Sequence, residues 1–294
     1  MVHAENGDVI DELVRQALAA GNTDPIYHAR TRPPELEGEA TGRAAALTAL
    51  ADSRLYVVHV TCAEAVARIA EARAKGLRVF GETCPQYLVL DESALEKPDF
   101  EGAKYVWSPP LRAKDHQEAL WNALKSGQLQ ALGSDMCSFD FKGQKELGRG
   151  DFSKIPNGGP TIEDRLSILY SEGVAKGRIT LNQFVDLVST QAAKLFGLFP
   201  RKGTIAAGSD ADLVLFDPNV RRTISAASHH MAVDYNAFEG MEIAGEPVSV
   251  LSRGRFVVKD RQFVGQYGAG QYLRRGRFGG SLASDAGAGL TAIS

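Results

Sequence analysis

Two spacings of apolar residues alternate along the first two thirds of the chain. From Asp8 to Ala20 (DVIDELVRQALAA), Val9, Ile10, Leu13 and Ala17 recur at helical spacing, and Gly21-Asn22 ends the run. Leu55 to Val60 (LYVVHV) is instead short, rich in β-branched residues and almost continuously apolar, the pattern of a strand buried on both faces of a parallel sheet. Ala63 to Lys75 returns to helical spacing before Gly76, and Leu77 to Gly81 (LRVFG) reads as the next strand. Strand, helix and strand at this spacing form a βαβ unit. Leu129 to Gly133 (LQALG) predicts a further strand, preceded by a helix near Gln117 to Ser126. Helices are also predicted over 44–51, 162–175 and 181–196, and the proline-bearing polar stretch 23–41 reads as a loop. At the N-terminus, apolar Met1-Val2 runs into HAENGD, which resembles the end of a buried strand turning into a helix. The chain is therefore expected to start in the middle of a fold.

After Phe199-Pro200 the texture changes. Residues 203–205, 211–216, 248–251, 256–258 and 263–264 read as short strands, with a turn at Asp260-Arg261. Beyond Gly265 the chain is rich in Gly and Arg, then in Gly, Ala and Ser, and is expected to be extended or disordered at its end. The pattern divides the chain into α/β repeats over 1–198, a β-rich segment over 199–265 and a tail over 266–294. The fold class is α/β, with four parallel strands ending near His3, Val60, Gly81 and Gly133. A closed (β/α)8 barrel needs eight strands and about 250 residues, and four would leave an open edge. The sheet is therefore either an open fold or part of a barrel.

Composition narrows the function classes. With 33 basic and 36 acidic residues among 294, the net charge is -3, which calls for neither nucleic acid nor an acidic membrane surface as partner. Cys62, Cys84 and Cys137 contain no CxxC and are too scattered for a disulfide framework, which fits a reducing cytoplasm. No apolar run approaches 18 residues, and no basic region followed by an apolar stretch opens the chain.

Sites in parallel α/β folds lie at the carboxyl ends of strands. There stand His3 and Glu5, then His59 with Thr61 and Cys62, then Glu82, Thr83 and Cys84, then Gly133-Ser134-Asp135. Two imidazoles and a carboxylate converging on one pocket suit zinc or another borderline divalent ion. Each residue also has a plainer role: His3 as a frayed terminal residue, His59 as a hydrogen-bonded core histidine, Asp135 as a helix N-cap beside Ser134. IPNGGPTIEDR (Ile155 to Arg165) reads as a glycine-rich turn opening a helix, with exposed backbone at Asn157-Gly158-Gly159, and WSPPLR (Trp107 to Arg112) as an extended, proline-stiffened segment. His229-His230 reads as a surface pair, and His28 and His116 as loop and helix-start residues. G-x-S-x-G, Walker and G-x-G-x-x-G signatures are absent.

Taken together, MVHAENGDVID, VVHVTC, GETCPQYL, WSPPLR, GSDMCSFDFKGQKELGRGDFSKIPNGGPTIEDR and GSDADLVLFDP resemble the cyclic amidohydrolases, specifically the hydantoinase/dihydropyrimidinase group, from residue 1 to about 278. The resemblance implies a metal-dependent TIM barrel, here its strands five to eight, followed by a small β-sandwich segment. It implies two divalent metal ions, usually zinc, bridged by a carboxylated lysine and a hydroxide. His3 and His59 then match the two histidines on one metal, Asp135 the aspartate that ligates the other and moves the proton, and Ser108 and Asn157 the positions whose backbone holds the cyclic amide. The group's HxH pair, bridging lysine and oxyanion-stabilising tyrosine have no counterpart here, so the chain is expected to be the C-terminal portion of a longer enzyme and to be impaired in isolation. Met136 stands where the group has histidine, and Asp140 where asparagine is expected. The implied reaction is hydrolysis of hydantoins or dihydropyrimidines to N-carbamoyl amino acids, in a cytoplasmic homotetramer. The alternatives are an allantoinase or dihydroorotase, or a non-catalytic assembly protein on the same fold. The segment Gly265 to Gly280 reads equally as a reach to a neighbouring subunit and as a solvated basic tail.

Overall fold

Asn6 opens the first helix: its side-chain oxygen accepts from the Val9 N–H at 3.3 Å, and α1 runs over Gly7–Ala19. The computed structural model describes residues 1–276 and 278; the rest of the expected tail lies outside the described residues. The stretch 23–41 expected to be a loop carries α2 (Ile26–Arg30) and the first part of α3 (Pro34–Leu50), whose second part coincides with the helix predicted over 44–51. Proline at the first turn and Glu35 and Glu37 near the positive end favour α3. Its buried face is Glu37, Gly38, Ala40, Thr41, Ala45 and Thr48, so no apolar period advertises its first half.

The strands β1 (Leu55–Val57), β2 (Val79–Thr83) and β3 (Ala131–Leu132) form one parallel sheet in chain order. Leu55 pairs with Val79, Tyr56 with Phe80, Glu82 with Ala131 and Thr83 with Leu132. Outside β1, Val2 bridges Val57 in parallel, and the Val2 N–H donates to the Tyr56 carbonyl at 2.9 Å. The first expected strand is thus a single bridge, but it occupies the place foreseen for it. Successive parallel neighbours in sequence order are the winding of a β/α barrel. Helices α4 (Ala63–Ala74), α5 (Pro85–Val89) and α6 (Asp115–Ser126) intervene. Buried Val57, Val79, Ile69, Leu120, Leu129 and Leu132 form the core beneath the strand ends.

Further along, α7 (Arg165–Leu169) passes into a wide π-type segment, Tyr170–Val174, and α8 (Leu181–Val185) and α9 (Gln191–Leu195) flank another, Asp186–Thr190. Strands β4 (Leu213–Thr223), β5 (Glu242–Ser252), β6 (Arg255–Lys259) and β7 (Gln262–Phe263) make a four-stranded sheet in that order, with β5–β6 and β6–β7 antiparallel. No strand forms at 203–205, where Gly203 sits at φ +82°. By packing, the chain divides into Met1–Ile168 with Arg222–Ile243, and Leu169–Arg221 with the described residues from Ala244 onward. This partition follows contacts, whereas the sequence-based one at 198 and 265 follows hydrophobic texture. In the second unit Tyr170, Phe184 and Phe216 pack as an aromatic cluster with ring centroids 4.8–6.0 Å apart.

Candidate functional site

Every residue singled out as a ligand or substrate contact lies in the first unit. His3 follows the Val2 bridge, and His59 follows β1. His59 breaks the strand with φ +42°, in the left-handed region that non-glycine residues rarely occupy. The turn brings its ring against that of His3: Nδ1 of His3 lies 3.2 Å from Nε2 of His59, with centroids 4.9 Å apart and planes at 66°. On its other edge, Nε2 of His3 faces Oε2 of Glu5 at 3.0 Å. A proton on Nε2, donated to Glu5, leaves the Nδ1 lone pair turned to His59, the arrangement by which a carboxylate orients a ligating imidazole. Glu5 raises the His3 pKa, against an opposing effect of burial. His59 is 7% exposed, and burial lowers its pKa, with Asp135 acting in the opposite direction.

Asp135 follows β3 at φ +48° and is exposed. No helix starts there; the next helical turn is Lys145–Gly148, so the N-cap role does not hold. Its charge acts on both imidazoles. Two nitrogens bound to one tetrahedral zinc at about 2.0–2.1 Å lie about 3.3–3.4 Å apart, so the His3–His59 spacing suits a shared ion as well as a shared proton. The donor pair therefore fits two positions of a metal site. Among the described residues, however, no group of three His, Cys, Asp or Glu side chains stands close enough to hold an ion, so the set is incomplete.

The Ser108 and Asn157 segments are contiguous with that of Asp135. Met136 bridges Gly159 in parallel, and the Gly158 N–H donates to the Val106 carbonyl at 3.0 Å. Both glycines are required by close approach. A Cβ on Gly158, at φ +132°, would stand 2.0 Å from the Cys137 oxygen, and one on Gly159 would stand 2.4 Å from Nε1 of Trp107. The carbonyls around the two candidate contacts are tied: Trp107 to Nε2 of His28 at 2.7 Å, Pro109 to the Tyr87 hydroxyl at 2.8 Å, and Pro156 and Gly158 to Nζ of Lys145. Neither the N–H nor the C=O of Ser108 or of Asn157 is hydrogen-bonded among the described residues; the Ser108 hydroxyl lies 3.4 Å from Nε2 of His28.

Three buried polar groups escaped the sequence reading. His28, expected in a loop, is 1% exposed, and burial holds its pKa well below the ordinary histidine value, so it is neutral and donates to Trp107. Lys145 is fully buried. Arg112, the last residue of WSPPLR, forms a buried pair with Glu37 of α3, Nη2 to Oε2 at 2.8 Å. Glu37 also accepts from the Thr61 N–H at 2.8 Å and from the Thr61 hydroxyl, while Nε of Arg112 donates to that hydroxyl at 2.8 Å and Nη1 donates to the Arg32 carbonyl. This closed network anchors the backbone two residues past His59. A charged residue in a polar segment looks solvated in sequence, and its acceptors lie in segments far along the chain. His229 and His230 do lie near the surface; His230 pairs with Glu163 at 2.8 Å. No helix among the described residues is long and apolar enough to cross a membrane.

A profile of the amidohydrolase family matches residues 9–257. The chain is 77% identical over 283 residues to D-hydantoinase of Geobacillus stearothermophilus, covering 96% of this chain and 60% of that protein. It is 46% identical over 274 residues to dihydropyrimidinase 2 of Caenorhabditis elegans, covering 92% of this chain and 52% of that protein. A crystal structure of D-hydantoinase superposes with a TM-score of 0.94 at 80% identity, over 95% of this chain and 61% of the other. L-hydantoinase from Arthrobacter aurescens does so with 0.87 at 34% identity, over 93% and 60%. The chain thus spans 60% or less of the length of these two curated relatives. The shared architecture is mixed α/β, a partial TIM barrel with a sheet.

Proposed function

Because the chain belongs to the amidohydrolase family, which is metal-dependent, we propose that it carries the substrate cradle and half the metal site of a cyclic amidohydrolase that opens hydantoins or dihydropyrimidines to N-carbamoyl amino acids. The observation that carries this reading is the pairing pattern of two loops: Ser108 and Asn157 keep free peptide groups while the carbonyls beside them are tied. A ring amide or imide offers the complementary N–H and C=O groups. The names of the similar proteins, D-hydantoinase and dihydropyrimidinase, point to the same substrates.

His3 and His59 would hold one ion through Nδ1 and Nε2, with Glu5 fixing the tautomer of His3. A bound divalent ion supplies hydroxide at neutral pH and polarises the attacked carbonyl. Ser108 and Asn157 orient the ring through backbone hydrogen bonds. The Asp135 carboxylate takes the proton from the attacking water and delivers it to the departing ring nitrogen, as general base and then general acid. Two ions, zinc as their identity, a carboxylated lysine bridge from outside this chain, a homotetramer and a cytoplasmic location complete the proposal. Donors supplied by this chain alone make a weak site, so purified 1–294 is expected to hydrolyse hydantoin and dihydrouracil far more slowly than its relatives.

The test is a chimera in which this chain replaces the matched portion of the Geobacillus stearothermophilus protein. Zinc-dependent ring opening of hydantoin or dihydrouracil, abolished by Asp135→Asn, is expected, with His59→Asn weakening zinc binding at least tenfold. A folded, zinc-loaded chimera that opens neither ring would overturn the reading; allantoin and dihydroorotate serve as the competing substrates.

A further inference from the structure

Lys145 begins the short helical turn Lys145–Gly148, its own N–H bonded to the Asp140 carbonyl at 3.0 Å. Its side chain is completely buried, and among the described residues no carboxylate is among the charges that act on it. A buried ammonium without an anion is costly unless every N–H is satisfied. Here each is: Nζ donates to the carbonyls of Val106 at 3.1 Å, Pro156 at 2.7 Å and Gly158 at 2.6 Å. Three donors meeting three acceptors is the count of the charged form; a neutral amine would turn its lone pair on one of the carbonyls. Burial nonetheless pushes its pKa down to about 7.

The positions of those acceptors matter more than their number. Pro156 and Gly158 flank Asn157, and Val106 lies two residues before Ser108 while also accepting from the Gly158 N–H. The ammonium therefore sits where the two loops meet and draws their carbonyls inward. We propose that Lys145 is the positioning residue of the substrate cradle, turning the peptide groups of Ser108 and Asn157 outward for a cyclic amide or imide by clamping the carbonyls of Val106, Pro156 and Gly158. This rests on the reading of Ser108 and Asn157 as substrate contacts.

The test compares the full chain with Lys145→Met and with Ile69→Ala, a core variant that loosens the same unit elsewhere, by amide exchange and by NMR titration with succinimide, a cyclic imide without a hydrolysable ureide. Expected is exchange of the Gly158 amide at least tenfold faster in Lys145→Met than in Ile69→Ala after matching global stability by temperature. Also expected is loss, in Lys145→Met alone, of the succinimide-induced shifts at Ser108 and Asn157. Lys145→Gln, which keeps two donors, should fall between and serves if Lys145→Met does not fold. Equal Gly158 exchange and equal shifts in the lysine and Ile69→Ala variants would overturn the clamp. Absence of shifts in the unaltered chain, with Gly158 exchange still raised by Lys145→Met, would instead overturn the substrate reading and with it the cradle.

Discussion

Removing Glu37 tests the strongest electrostatic claim made for the site. Its side chain is 2% exposed and that of Arg112 5%, so solvent does little to screen either charge. Glu37→Gln keeps the shape and one oxygen acceptor but removes the anion, leaving the guanidinium with neutral acceptors only: the amide oxygen of the substituted side chain, the Thr61 hydroxyl and the Arg32 carbonyl. Breaking a buried pair from one side costs about 3–5 kcal/mol, and the surviving neutral acceptors place this case near the lower end, about 3 kcal/mol. At roughly 2–4 °C per kcal/mol for a unit of 150–250 residues, the melting temperature should fall by about 6–12 °C. Trp107 and Trp121 are the two tryptophans of the chain, and both lie in the first unit, so fluorescence melting follows the affected part alone. Arg112→Met should cost a similar amount. Glu37→Leu with Arg112→Met should cost less than Glu37→Leu alone or Arg112→Met alone, since no charge is then stranded, which a double-mutant cycle on these two substitutions reads directly. A fall below about 2 °C for Glu37→Gln, or a double variant that loses the sum of the singles, would refute the reasoning.

Other consequences are equally direct. Gly158→Ala combines a left-handed φ with a Cβ 2.0 Å from the Cys137 oxygen and should destabilise by more than about 2 kcal/mol; an unchanged urea midpoint would contradict the close approach. His28 is held neutral by burial and by the Arg32 charge, so only the unfolded chain takes up a proton as pH falls through 6.5, and stability should decline below that value. His28→Gln should flatten the decline, and an unaltered slope in urea titrations between pH 6.5 and 5 would count against it. Burial raises the Glu82 carboxyl above 4.5 despite the Tyr56 hydroxyl that donates to it at 2.8 Å, so the folded chain holds that proton longer and loses stability as pH rises through the window above 4.5. Glu82→Gln should therefore stabilise more at pH 7 than at pH 4, and the opposite order in thermal melts would sink the argument.

What the sequence revealed and what it hid divide along a physical line. The sheet was legible because LYVVHV is almost continuously apolar and LRVFG follows a helix at βαβ spacing, and the helix between them because its stripe has a 3.6-residue period. The strand ends then offered His3, His59 and Asp135 as candidates, each with a plainer role beside it, and NGG announced a tight turn that the contacts with Cys137 and Trp107 explain. The first half of helix α3 was hidden because it buries small and polar residues, Glu37 among them, whose burial is sustained by Arg112 rather than by hydrophobicity, whereas its second half lies within the helix predicted over 44–51. Lys145 was hidden for the same reason: its partners are backbone carbonyls, which every residue possesses and no composition records.

The left-handed backbone at His59 has a consequence for how this position can vary. An L-residue held there gives up about 1–2 kcal/mol that glycine would not, so a library at position 59 sorted for expression alone should enrich Gly, Asn and Asp and discard Val and Ile. Sorting the same library for retention of a bound ion should bring the imidazole back, and the difference between the two outcomes measures what conformational ease is surrendered at the end of β1.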